Sequence, residues 1–240
     1  MFQVAYKTDV GRKRTNNQDA VKLCDDLNCY IVADGMGGHL AGEIASQTAV
    51  ETIEAYIRTH IEAGEFEDCI RQAIVEANKR IYLESLDNTE YRGMGTTCSM
   101  VLLQGDNIHV GHVGDSRIYF VNNQGVKQIT TDHSLVENLI ANGEITKEEA
   151  KTHPKRHVIT RAIGTDPTVE VDYGNYEIGS IKQIVICSDG LTEKVDDQEI
   201  LNTINTHTID DAVDLLVELA NERGGTDNIS VILVSLTNEC

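Results

Sequence analysis

The sequence predicts an α+β fold, a layered sandwich of antiparallel strands and helices, and three observations carry that expectation. Alternating or β-branched runs mark strands near residues 2 to 8, 20 to 24, 29 to 33, 96 to 103, 107 to 113, 116 to 121, 126 to 130, 169 to 173, 182 to 187 and 228 to 236. Tight turn signals, Gln104-Gly105-Asp106-Asn107 and Asn122-Asn123-Gln124-Gly125, join consecutive runs and favour antiparallel hairpins over a doubly wound parallel sheet. The strands fall in two blocks with helical periodicity after each, which suits stacked layers better than a barrel or a bundle.

The helices follow from their apolar stripes. Over 42 to 60, Ile44, Ala45, Thr48, Ala49, Ile53, Tyr56 and Ile57 share a face; over 66 to 86, Phe66, Cys69, Ile70, Ala73, Ile74, Ala77 and Ile81 do the same. Near the C-terminus Asp210 can cap a helix carrying Ala212, Val213, Leu215, Leu216 and Leu219 and ending at Gly224, preceded by a shorter helix at 197 to 205. The segment 138 to 176 is polar, holds a capping-box pattern at Thr146 and Glu149, and carries His153, Lys155, Arg156 and His157 around Pro154; it reads as a surface flap or a solvated helix-loop excursion.

At 240 residues with 2 prolines, no linker and no fixed-period repeat, residues 1 to 240 are expected to form one domain. A formal net charge of −19 argues against nonspecific attraction to nucleic acid or an anionic membrane. The cysteines (Cys24, Cys29, Cys69, Cys98, Cys187, Cys240) form no CxxC pair and several lie in apolar runs, as reduced core thiols would. No apolar run approaches the ~20 residues of a membrane span, so the chain is expected to be soluble and cytoplasmic.

Four aspartates beside or close to glycine at strand ends point to chemistry: Asp34 in VADGMGGH, Asp115 in HVGDSRIY, Asp189 in ICSDGL and Asp227 in GGTDNIS. One Asp-Gly is an ordinary turn. Four such aspartates suggest carboxylates converging where glycine leaves room for a cation. Oxygen donors without supporting histidine or cysteine favour Mg²⁺ or Mn²⁺ over Zn²⁺. His109 and His112 stand three apart in a strand, on opposite faces, which makes a shared metal improbable and a packing role the expectation. The loop from Gly11 to Asp19 adds basic residues that can hold an anion, Arg14 with a guanidinium fork suited to phosphate, and Asp19 as a further carboxylate. DGMGGH lacks a Walker ending, no GxGxxG opens a helix, and Ser116 and Ser188 have no evident His/Asp partners in sequence, so nucleotide binding and covalent serine catalysis are disfavoured.

Taken in order, RTNNQD, VADGMGGH, GTT, GHVGDSRIY, TTDHSLV, ITRAIG, ICSDGL and GGTDNISVILV span nearly the whole chain. The pattern resembles the metal-dependent protein phosphatases, the PPM or type 2C family, in its compact bacterial serine/threonine branch. The resemblance implies a four-layer α-β-β-α sandwich, two antiparallel sheets flanked by helices, with metals in a cleft at one edge. It further implies that Asp34 bridges two ions, that the Gly35 carbonyl helps bind one of them, that Asp189 and Asp227 complete the first site and that Asp19 serves the second, largely through water. Asp115 would share a third, weaker ion with Asp189, and Arg14 would clamp the substrate phosphate.

The expected activity is hydrolysis of phosphoserine and phosphothreonine in proteins by a metal-bridging hydroxide, opposing a membrane-anchored serine/threonine kinase. Metals suit the task, since an acceleration near 10²¹ corresponds to about 29 kcal/mol, whereas a general acid supplies roughly 3 to 5. Where many eukaryotic relatives carry a histidine two places after the bridging aspartate, this chain has Met36; His39 is the candidate leaving-group acid or, alternatively, a loop-packing residue. A noncatalytic phosphoprotein-binding module with the same fold is the alternative function.

Overall fold

The computed structural model describes residues 2–38 and 40–236. One sheet has five strands: β1 (Gln3–Asp9), β7 (Arg117–Asn122), β8 (Gly125–Gln128), β10 (Gln183–Cys187) and β11 (Ile229–Ser235), in the order β1-β11-β10-β7-β8. The other has six: β2 (Asp19–Cys24), β3 (Cys29–Met36), β4 (Gly95–Thr96), β5 (Cys98–Gln104), β6 (Asn107–Val113) and β9 (Asp172–Glu177), in the order β2-β3-β5-β6-β9 with β4 beside β3. Every pairing is antiparallel. Both expected hairpins form, with Gln104 opposite Asn107 and Asn122 opposite Gly125.

Strand alternation sorts the core into three seams. Tyr30, Val32, Val101, Val110, Ile118, Ile186 and Ile232 meet between the sheets. The opposite faces of the same strands, with Ile31, Ala33, Met100 and Leu102, pack on α1 (Ala41–His60) and α2 (Phe66–Asp87). Likewise Val185, Val231 and Leu233 pack beneath α6 (Asp197–Thr206) and α7 (Ile209–Glu222). Central strands buried on both faces read as continuous apolar runs, as ISVILVS does in β11. The result is the four-layer α-β-β-α sandwich.

Some local expectations shift. The last strand of the second sheet runs over Asp172–Glu177 rather than 169 to 173, because β6 offers its ladder to those residues; Val169 and Val171 still pack inward, without a strand partner. The C-terminal helix is capped by Thr208, whose hydroxyl accepts from the Asp211 amide, and Asp210 lies in the first turn. Within the flap segment the capping box at Thr146 and Glu149 forms, on α4 (Lys147–Lys151), after α3 (Leu135–Ala141). Cys24, Cys29, Cys69, Cys98 and Cys187 are free and buried, and burial raises the Cys98 and Cys187 thiols to about 12; Cys240 lies outside the described residues.

Candidate active site

Antiparallel pairing explains how acids so distant in sequence reach one edge, since the end of one strand lies beside the start of its neighbour. Asp19 opens β2 and Asp34 lies near the end of β3, directly opposite each other in the ladder. Like charges in that position are destabilising unless something neutralises them. Asp115 follows β6, Asp227 precedes β11, and Asp189 begins the short helix α5 (Asp189–Thr192) just after β10. All five are half-buried.

Their electrostatics mark them as one cluster. Burial, then repulsion from Asp19, Asp189, Asp115 and Asp227, holds the Asp34 carboxyl well above its ordinary range. Asp189 is raised the same way, by burial and then Asp115, Glu193, Asp227 and Asp19. Burial lifts Asp19 to about 6 and Asp115 to about 7. Asp19 Oδ1 and Asp189 Oδ1 are buried with no hydrogen-bond partner. Orphaned oxygens among mutually repelling carboxylates fit divalent cations, which supply the missing positive charge and the missing ligand bonds.

The surrounding polar groups fix these acids in place. Ser188 Oγ donates to Asp19 Oδ2 at 2.8 Å while itself accepting from the Ser230 amide at 2.9 Å. Ser188 thus finds an aspartate, as a donor that holds it and without a histidine. Thr96 Oγ1 donates to the Asp34 carbonyl at 2.9 Å, and Thr97 Oγ1 accepts from the Asp34 amide at 2.9 Å. Gly35 tolerates no side chain, because a Cβ there would stand 2.0 Å from the Gly42 carbonyl oxygen and 2.5 Å from that of Gln18.

Arg14 Nη2 meets Asp227 Oδ2 at 2.8 Å, a bond that raises the arginine's pKa, so the basic loop does reach the acid cluster. Beside it a cavity of about 380 Å³ is walled by Arg14, Thr15, Asn16, Gln18 and Leu40. A separate cavity of about 330 Å³ between Phe66, His109 and Tyr173 has none of the five acids on its walls. His39 lies outside the described residues.

Sequence reasoning missed Glu193 and gave His157 no role. These two side chains are in contact through His157 Nδ1 and Glu193 Oε1, and with Asp189 their candidate ligand atoms lie within 4.8 Å of one another. The flap segment therefore reaches the acid cluster through His157. His109 and His112 sit on opposite faces as expected, His109 against Phe66 and Tyr173, His112 against Ser99 and His133.

The family profile described as protein phosphatase 2C matches residues 10–233, and the chain belongs to that family, whose members are metal-dependent protein serine/threonine phosphatases. Among similar proteins, the serine/threonine phosphatase stp of Listeria monocytogenes is 38% identical over 236 residues, 95% of this chain and 94% of the relative. Protein phosphatase PhpP of Streptococcus pneumoniae is 37% identical over 244 residues, covering 99% of each chain. The crystal structure of serine/threonine phosphatase Stp1 from Staphylococcus aureus superposes with a TM-score of 0.90 at 36% identity, over 99% of this chain and 96% of that one. The protein is accordingly an enzyme, a protein-serine/threonine phosphatase acting on phosphoproteins, and the noncatalytic alternative gives way. Among the described residues no helix is long and apolar enough to cross a membrane.

Proposed function

We propose that the cleft takes Mn²⁺ or Mg²⁺ as two core ions and a third, weaker one. Asp19, Asp34, Asp189, Asp227 and the Gly35 carbonyl would hold the core pair, and Asp115 with Asp189 the third. Bound there, the ions supply a water of lowered pKa and positive charge for the phosphoryl oxygens. The observation that carries this reading is the set of half-buried acids raised by burial and by one another, two with orphaned oxygens.

The remaining roles belong to the chain. Arg14 places its planar guanidinium against the substrate phosphate, with Asp227 holding the side chain in position beforehand. Ser188 keeps Asp19 in a single orientation, and Thr96 and Thr97 fix the backbone that presents Asp34. His39 donates a proton to the leaving alkoxide, a role argued from sequence alone. The substrates are phosphoserine and phosphothreonine proteins in the cytoplasm, and the opposing enzyme is a membrane-anchored serine/threonine kinase. Release of phosphate from a phosphothreonine peptide should require added Mn²⁺ and stop with EDTA; turnover persisting after exhaustive chelation would refute the reading.

A further inference from the structure

Asn228 is 3% exposed and follows Asp227 directly. An asparagine amide has two N–H donors and an acceptor oxygen, and here all are engaged by backbone of a single segment. Nδ2 donates to the Val10 carbonyl at 2.9 Å and to the Asn16 carbonyl at 2.9 Å, while Oδ1 accepts from the Gln18 amide at 2.8 Å. Two carbonyls and one N–H as partners leave only one orientation for the amide. The residues so tied off carry Arg14, and the segment enters β2 at Asp19.

The main chain of Asn228 is gripped as tightly. Its amide donates to Asp227 Oδ1 at 2.9 Å, and its carbonyl oxygen lies where a Cβ on Gly190 would come within 1.9 Å. One residue therefore joins the loop bearing Arg14 to two acids of the cluster, Asp227 and the Asp189 that precedes Gly190. Arg14 itself is exposed and bonds Asp227, and its loop is held as well by Asn17, whose Nδ2 donates to Thr8 Oγ1 at 2.8 Å. Further backbone support comes from the Arg12 and Lys13 amides, which donate to the Gly225 carbonyl at 2.7 and 3.2 Å.

We propose that Asn228 is a positioning residue for phosphate recognition: its side-chain amide closes the 10 to 18 loop and sets Arg14 before substrate arrives. This rests on the reading of Arg14 as the phosphate clamp. Ordering the loop in advance removes its entropic cost from the binding step, so losing the amide should weaken phosphate binding even in molecules that remain folded.

The test is the inhibition constant for inorganic phosphate against p-nitrophenyl phosphate hydrolysis at saturating Mn²⁺, for Asn228→Ala, Asn228→Ser, Arg14→Ala and the Asn228→Ala/Arg14→Ala pair. Each single Asn228 variant should raise the constant, Asn228→Ala by about tenfold, one or two lost hydrogen bonds' worth. The pair should be no weaker than Arg14→Ala alone, because the asparagine acts through the arginine. Amide exchange over residues 11 to 18 should quicken in Asn228→Ser while the central strands stay protected.

A constant within twofold of wild type in folded Asn228 variants, full additivity with Arg14→Ala, or unchanged loop exchange would each overturn the proposal while leaving the clamp intact. An unchanged constant in Arg14→Ala would instead sink the clamp, and the proposal with it. Failure of both Asn228 variants to fold would make Asn228 a structural residue only and would equally overturn it.

Discussion

Two groups of charge lie near each other and are built in opposite ways. At the base of the flap segment, Arg117 grips Asp132 with Nη2 to Oδ2 at 2.6 Å and Nε to Oδ1 at 2.9 Å, and Arg161 Nη1 reaches Asp172 Oδ1 at 2.6 Å. Each carboxylate there meets a guanidinium. At the strand edge, Asp19, Asp34, Asp115 and Asp189 make no ion pair with a lysine or arginine among the described residues, and Arg14 bonds only Asp227 of the cluster. A chain that can seat arginines beside two carboxylates leaves others facing like charge, an arrangement that suits a counterion from outside.

The largest expected effect removes one unmatched charge. Asp34→Asn should lower kcat by about 10³-fold, the several kcal/mol that metal charge contributes. In the metal-free protein the same change relieves repulsion and should raise Tm by about 2 to 4 °C for each kcal/mol recovered. Activity and metal-free stability then move in opposite directions. A purely structural Asp34 would lower both, a result that steady-state kinetics and a thermal melt in EDTA would reveal together.

The matched pair should behave in reverse. Arg117→Ala strands Asp132, whose side chain is only 13% exposed. The loss should be about 2 to 3 kcal/mol, toward the low side for broken buried pairs because Arg117 keeps contact with solvent. Urea unfolding measures it, and Mn²⁺ affinity by calorimetry should change far less than in Asp34→Asn. A large loss of Mn²⁺ affinity would erase the distinction between the two groups.

Much of this contrast was legible from the sequence, for a physical reason. Acids beside or close to glycine at strand ends form a local pattern, and antiparallel pairing carries them to one edge without any knowledge of sheet order. The partners that orient them were not legible. Ser188 lies 169 positions from Asp19 and Asn228 lies 210 from Gln18, and nothing local in ICSDGL or TDNIS marks a serine or asparagine as a bracket for another segment. The Thr208 cap was hidden because Thr208 and Asp210 are both good capping residues two positions apart, and the fold chose the first. The His157–Glu193 contact depends on how the flap folds back, which no periodicity records.

A smaller effect tests the buried histidine on the matched side. His112 faces His133, Asp132 and Asp172, with Nε2 near the Thr131 carbonyl and Nδ1 near Ser99 Oγ; burial lowers it to about 4. A base whose folded pKa lies below its unfolded value of about 6.5 binds its proton only on unfolding, so stability falls as pH drops between the two. From pH 7 to pH 5 this amounts to about 2 kcal/mol at 1.36 per unit. The advantage of wild type over His112→Asn should shrink by that amount. The raised carboxylates tilt the other way, toward greater stability at low pH, but do so in both proteins and cancel. An unchanged gap across this range would place a charged imidazole in the native state.

The smallest effect concerns charge that is neither matched nor buried. The flap's basic residues are not equivalent, since Lys151 Nζ already meets Glu148 at 2.9 Å, whereas Lys155 and Arg156 make no ion pair among the described residues. If they steer acidic phosphopeptides toward an otherwise negative protein, Lys155→Glu with Arg156→Glu should raise KM for a phosphopeptide about two- to fivefold at low salt. The difference should fade near 1 M salt, where the screening length falls to about 3 Å. Hydrolysis of p-nitrophenyl phosphate, which carries no flanking chain, should be spared, and Lys151→Glu should do less because its charge is already spoken for. Equal changes on both substrates would move these cations from steering to general support of the flap.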